Sequence, residues 1–365
     1  MRTTPGRRAI GVGVAILLFL FPAGVGRCLA QTADSTQVPS VAVSGYAEVY
    51  YAFDLGQPHD GERPSFLYNH KRHNEVALNL GFLKAAYAQA NVRANLALMA
   101  GTYAQYNLAG EPAALRSLYE ANIGVRLGRS RDLWVDAGVL PSHIGLESAI
   151  GADCWNLSRS IWAENTPYFE TGVRVTYKPV PRVSLAALFL NGWQRIQRPP
   201  GHTAPSFGTQ VNVTTASGVQ WNWSTFVGST TPDSVGLWRF YNNFYLVASN
   251  DTTGLTLGFD VGLQQKEQGG VSGWFGPLAM VRQRLGRGWF GVTRVEFFND
   301  EDRVIMPTPR PILSATLGAD KRITNSVLWR IEARWMGNDD GAFIDRQGRP
   351  ANDNWAFTTA LTAKF

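Results

Sequence analysis

Residues 329–335 read WRIEARW. Trp329, Ile331, Ala333 and Trp335 share one face of an extended strand, and Arg330, Glu332 and Arg334 share the other, because successive side chains of a strand point to opposite sides. Charges stacked behind tryptophans describe a sheet with water on one side and an apolar medium on the other. The same alternation recurs through the chain. In VAVSGYAEVYYAF (41–53), Val43, Ala47, Val49, Tyr51 and Phe53 oppose Tyr46, Glu48 and Tyr50. In EVALNLGF (75–82), Val76, Leu78, Leu80 and Phe82 oppose Asn79 and Gly81. YEANIGVRL (119–127) sets Tyr119, Ala121, Ile123, Val125 and Leu127 against Glu120, Asn122 and Arg126. LTLGFDVGL (255–263) sets its leucines, Phe259 and Val261 against Asp260 and two glycines.

Counting such stretches gives about sixteen strands, within a range of about 14–18, the first at 41–53 and the last at 353–365. The connections alternate in length: long at 54–73, short at 89–91, medium at 107–117, short at 129–131, long at 144–167 and short at 179–182. Only 267–272 is a weak member of the series. Short turns at one rim and longer loops at the other predict an all-β, antiparallel transmembrane barrel. A sheet in lipid must close on itself, because lipid satisfies no backbone N–H or C=O. Each crossing needs ~9–11 residues, which these strands supply. A soluble sandwich or propeller is the alternative reading of the same alternation.

The front of the chain predicts export. Arg2, Arg7 and Arg8 precede an apolar run from Ala9 to Leu20, and Cys28-Leu29-Ala30 offers a small-residue cleavage site. Residues 1–30 read as a signal peptide, 31–40 as a short periplasmic segment and 41–365 as the barrel. Loss of Arg2, Arg7, Arg8 and Arg27 takes the 34 basic residues to 30 against 28 acids, a net +2. The basic balance is therefore largely targeting, which argues against a nucleic-acid partner. Cys154 is then the one cysteine left, so no internal disulfide is expected. No stretch of the mature chain reaches ~18 uninterrupted apolar residues, which excludes a spanning helix. The 12 Trp, 12 Tyr and 19 Phe suit aromatic girdles at a membrane surface. Trp289, Trp329, Trp335, Trp355, Tyr177 and Phe365 have lipid-facing parity near strand ends.

Several stretches resemble the OmpL-like β-barrel porins of Gram-negative outer membranes. They are GYAEVYYAFD, RPSFLYNHKRHNEVALNLGF, NLALMAGTYAQYN, NGWQRIQRP and above all DAGVLPSHIGLESAIGADCWNLSRSIWAENTPYFE (136–170). The resemblance implies a passive channel for small hydrophilic solutes, with no catalytic cycle and no cofactor. The outer-membrane lipid and the barrel-assembly machinery are its implied partners. A trimer is the common assembly of such porins, though no residue here marks a subunit face. Phe365, closing an alternating last strand, resembles the signal that assembly machinery reads.

By the same resemblance, the third long connection, 144–167, folds into the barrel and narrows it. Its acids are Glu147, Asp153 and Glu164, with Arg159 as the lone base. LSRSIWAEN within it suits a short helix, and long loops in compact proteins are often functional. Arg93, Arg126, Arg174, Arg294 and Arg330 have inward parity and are expected to face those acids across the channel, where opposed charges screen solutes. The same charges also suit ladders that hold neighbouring strands in register.

Enzyme readings are thin. Ser142 and His143 are adjacent and would point to opposite faces, which reads as a polar strand end at the rim. His70 and His73 lack a clear third ligand and read as a solvated loop. Neither a P-loop nor a strand-to-helix GxGxxG occurs. Cys154 has no adjacent base and reads as a packing residue. Trp193 and WNW (221–223) fit either girdle packing or a stacking path for sugars. A partner-fed, substrate-biased channel and a plugged adhesion barrel are the competing functions.

Overall fold

The computed structural model describes residues 39–128 and 131–365. The leader expected at 1–30, and nearly all of the 31–40 segment, lie outside the described residues. Sixteen antiparallel strands close into one barrel. They are β1 (Ser40–Asp54), β2 (Val76–Gln89), β3 (Val92–Ala100), β4 (Leu118–Arg126), β5 (Asp132–Pro141), β6 (Phe169–Val180), β7 (Val183–Leu190) and β8 (Ser206–Thr214). The ring continues with β9 (Gln220–Ser229), β10 (Trp238–Ser249), β11 (Thr253–Gln265), β12 (Val271–Gly286), β13 (Trp289–Phe298), β14 (Ile312–Arg322), β15 (Val327–Gly337) and β16 (Asp353–Lys364). Each strand pairs with its neighbours in sequence, and β1 pairs with β16, Tyr46 opposite Lys364 and Asp54 opposite Ala356. Closure leaves no sheet edge to be satisfied by lipid.

The outward row is apolar and uncovered. Trp221, Trp223, Phe357 and Leu361 are each about half exposed, at 52, 47, 49 and 50%. A continuous apolar band of this kind suits lipid rather than water. Trp221 and Trp223 belong to this face, while Asn222 between them turns inward and is buried. The WNW triplet is therefore no sugar-stacking path. The Phe365 backbone pairs with Gly45, N–H to O at 2.7 and 3.1 Å. Its ring lies over Gly45, where a Cβ would stand 2.3 Å from the ring.

Three local expectations are corrected. β3 does not run to 106. Gly101, at φ 120°, turns the chain into the short helix α1 (Thr102–Asn107), and a Cβ there would stand 2.5 Å from the Asn79 carbonyl. In β2 the register against β1 shifts between Glu48 and Val49, so that Glu48 faces Leu80 and Val49 faces Leu78. That bulge takes Leu80 off the lipid face, and Leu80 is wholly buried while Val76 is 74% exposed. The inward face is also less polar than alternation implied. Leu188, Leu190, Phe226, Tyr241, Trp274, Leu278 and Met280 point in and form a cluster with side chains from four long-rim loops. Those loops are L1 (55–75), L3 (142–168), L7 (299–311) and L8 (338–352), which contribute Phe66 and Leu67, Ile144, Ile161 and Trp162, Met306, and Phe343 respectively. The lumen is thus partly filled with packed apolar groups.

Candidate functional site

L3 holds itself together before it meets the wall. Arg159 is wholly buried and clasps three carbonyls: Nε to Ser148 O at 2.7 Å, Nη1 to Leu157 O at 2.7 Å and Nη2 to Ala149 O at 3.1 Å. Ser160 caps the single-turn helix α2 (Ile161–Glu164) by accepting from Ala163 N–H at 3.2 Å. Glu147 accepts from the Ser160 N–H at 2.9 Å and from its hydroxyl. The Cys154 sulfur accepts from Ser148 N–H at 3.2 Å and lies 3.3 Å from Ser148 O. Burial pushes the Cys154 thiol up, away from the reactive thiolate.

The folded loop then docks on β13, β15, β16 and β1. Glu332 accepts from Leu157 N–H at 2.9 Å, from Ser158 N–H at 3.2 Å and from the Ser158 hydroxyl. Glu296 accepts from Ile161 N–H at 2.6 Å. Arg330 donates to Gly151 O at 2.7 Å, Cys154 O at 3.1 Å and Trp155 O at 2.6 Å. Arg334 donates to Arg159 O at 3.1 Å, and Arg294 donates to Ser158 O at 2.7 Å. Loop backbone that would be unsatisfied in a barrel interior thus finds wall charges as partners, and the wall charges find the loop. Two glycines allow the close approach. Gly151 lies over the Glu48 carboxylate, and Gly258 under the Trp162 ring, where a Cβ would stand 2.5 and 2.3 Å from those groups.

L3 also spans much of the barrel's depth. At its far end Glu164 accepts from Tyr68 N–H at 2.8 Å and Asn69 N–H at 3.1 Å of L1, on the long-loop rim. Burial pushes the Glu164 carboxyl up, opposed by these donors. At its deepest, Asp153 pairs with Lys364, next to the chain end on the short-turn rim.

The five wall arginines do not all face the loop acids across a gap. Arg294 meets Glu147 directly, at 3.5 Å, and also Glu296 at 3.1 Å. Arg330 bonds Asp320 at 2.8 and 3.0 Å and takes loop carbonyls rather than a loop acid. Arg93 reaches along the wall to Asp136, at 2.7 and 2.6 Å, and lies 4.3 Å over the Trp134 ring. Gly124 on the intervening strand leaves room for that pair; a Cβ there would stand 2.2 Å from Asp136 Oδ1. Arg126 pairs loosely with Asp132 at 4.0 Å. Arg174 makes no ion pair among the described residues, and its Nε is buried without a partner. Asp136 and Asp320, the missed partners, were readable from inward parity in DLWVD and in LGAD.

Two histidines are also placed differently from expectation. His70 is no solvated residue; it is wholly buried, with Nε2 3.0 Å from Glu48 Oε1. His73 turns elsewhere, its Nδ1 accepting from Asp54 N–H at 2.9 Å. His143, two residues past the end of β5, is buried between Glu170, at 2.8 Å, and Thr225 O, at 2.8 Å. Burial works against its charged form, but Glu170 and the Thr225 carbonyl outweigh burial and hold its pKa above the ordinary value.

The facing wall carries no docked loop at its short-turn end. There a cavity of about 260 Å³ is lined by Arg93, Trp134, Arg174, Lys178, Ser184 and Gln210, among others. Trp193 packs edge-on against Phe226 and Tyr241 and sits under Arg239, against the apolar cluster.

Sequence and fold comparisons agree with this architecture. The family described as "Putative beta-barrel porin-2, OmpL-like" matches residues 40–365. No curated protein matches the chain by sequence. Among solved structures, an anion-selective porin from Comamonas acidovorans superposes with a TM-score of 0.60 at 8% identity, over 90% of this chain and 100% of that one. The outer-membrane channel DcaP of Acinetobacter baumannii gives 0.58 at 9% identity, over 90% and 97%. OmpT of Vibrio cholerae gives 0.59 at 9% identity, over 91% and 100%. At these identities the likeness is one of fold.

Proposed function

This chain belongs to the OmpL-like β-barrel porin family, and from that premise we propose that L3 sets the width and charge of its channel. The protein is an outer-membrane porin that passes small solutes by passive diffusion, and porins of this family and fold are channels rather than enzymes. The carrying observation for the constriction is the docking of L3 on wall charges from Glu332, Arg330, Arg334, Glu296 and Arg294. Solutes then pass between the docked loop and the facing wall, where Arg93, Arg126 and Arg174 meet water. The short-turn rim faces the periplasm and the long-loop rim the exterior in this reading. Residues 1–30 serve as the cleaved export signal, Phe365 as the mark read at assembly, and lipid covers the outward apolar row. A homotrimer is the proposed assembly; one form of Vibrio cholerae OmpT is described as a trimer.

Planar-bilayer recording of the purified protein tests the channel. Stepwise conductance that rises when L3 is undocked supports the constriction, and conductance indifferent to undocking sinks it. The apolar cluster from L1, L3, L7 and L8 favours a second reading, a barrel closed at its outer half. That reading requires an absence of conductance steps.

A further inference from the structure

Beneath the docked end of L3, at the short-turn rim, lies a cavity of about 340 Å³ that belongs to neither the loop dock nor the facing wall. Arg282 and Arg284 of β12 and Arg322 of β14 line it, with Phe290 of β13, Trp155 of L3 and the 249–254 turn. Arg282 stacks over the Phe290 ring at 4.1 Å and Arg322 over the same ring at 5.6 Å. One aromatic face thus holds two guanidinium groups together. Trp155 lies over Gly254, where a Cβ would stand 2.5 Å from its ring. The loop therefore brings an indole to this cavity.

The charges here are not balanced from within. Arg282, Arg284 and Arg322 form no salt bridge among the described residues, and the Arg282 Nε is buried without a partner. Asp320 on the same wall is already held by Arg330 through two bonds. Asp251 is the one carboxylate in the lining itself. Holding like charges together costs free energy, and an unpartnered buried donor costs more. A wall that only needed to stay in register would have placed carboxylates opposite these groups, as it does for Arg93 and Arg330.

We propose that this cavity binds an oxyanion, the carboxylate or phosphate group of a small organic solute, and that the porin's preferred cargo is anionic. Guanidinium groups carry donors in a fixed fork that suits both chemistries. The cavity volume is in the range of small-molecule sites. The proposal rests on the porin reading for its transport consequence, but not for binding itself.

The test has two arms. Isothermal titration of the detergent-folded protein with citrate and with inorganic phosphate measures binding without conduction. Planar-bilayer recording in potassium chloride, with the same anions added from either side, measures block. Binding is expected for at least one anion, and whichever binds identifies the group chemistry. The double variant Arg282→Gln/Arg322→Gln is expected to weaken it by about tenfold or more. Block is expected at lower concentration from the short-turn side. Arg346→Gln/Arg349→Gln, which removes two exposed arginines on L8 outside the cavity, controls for net charge. Failure of both anions to bind the wild type, binding unchanged in Arg282→Gln/Arg322→Gln, or equal weakening in Arg346→Gln/Arg349→Gln each overturns the proposal. Heat-modifiable migration on gels verifies that each variant is a folded barrel. Absence of conductance steps with binding intact refutes the channel and spares the site.

Discussion

Arg330 and Arg174 are both inward arginines in the middle of a strand, on opposing walls of one barrel. Arg330 is wholly buried, bonded to Asp320 and to three carbonyls of L3. Arg174 is half-buried beside the cavity of about 260 Å³, with its Nε unpartnered. The difference teaches that inward parity does not define a role. On one wall the charge is a fastener for backbone that has left the sheet. On the other it is free to act on whatever passes.

The largest expected effect breaks the fastener. Arg330→Ala would strand Asp320 and release the carbonyls of Gly151, Cys154 and Trp155. Breaking such a buried pair costs about 3–5 kcal/mol, here mostly as loop docking, since the strand ladder is untouched. Single-channel conductance should rise and grow noisy, with the barrel still folded by heat-modifiability. Unchanged conductance would mean that L3 does not limit the pore. The facing wall should respond differently. Arg126→Gln with Arg174→Gln should leave conductance nearly constant and move the reversal potential in a salt gradient toward cations. A fixed reversal potential would reduce those arginines to strand ladders.

What the sequence made legible follows from this contrast. Strand number, order and nearly every boundary came from period-2 alternation, because lipid and water act on each residue separately. L3 was legible as the third long connection, and its short helix within LSRSIWAEN, of which only Ile161–Glu164 is helical. Its partners were not. Glu332 and Arg330 are ordinary inward charges in WRIEARW, and no local pattern tells that they close on Ser158 or Gly151, more than 170 residues away. The Leu80 error has a local cause, since a bulge inverts parity within one strand and leaves composition unchanged. The inward apolar cluster was missed because alternation was read as lipid against water. Packed loops are a third environment.

A smaller effect concerns His143, which ties the start of L3 to β6 and β9 through Glu170 and Thr225. Its pKa is raised above the ordinary value, burial and Arg174 opposing the charge and Glu170 with the Thr225 carbonyl outweighing them. A raised folded pKa stabilises below the unfolded value and loses that contribution as pH rises through the folded one. Wild type should therefore lose thermal stability relative to His143→Gln on going from pH 6 to alkaline pH, by a shift of about 2 °C or more. A constant difference across that range would show that His143 stays neutral and acts by hydrogen bonding alone.

The smallest effect on stability gives the most direct view of the docked wall. Cys154→Ala removes a sulfur whose weak bonds all go to backbone groups of Ser148 and Ile150 in the same loop, so the expected cost is about 1 kcal/mol or less. The thiol itself is nevertheless informative. It is buried, its pKa is pushed up by burial, and its own carbonyl accepts from Arg330 at 3.1 Å. A maleimide should therefore leave the folded wild type unlabelled. Arg330→Ala should label it quickly without unfolding, because undocking exposes the segment that carries Cys154. Arg126→Gln/Arg174→Gln, on the wall opposite the Cys154 segment, should stay unlabelled. Labelling equal in both variants would mean that the two walls are coupled through the whole barrel, and the division of labour between fastening and free arginines would fall.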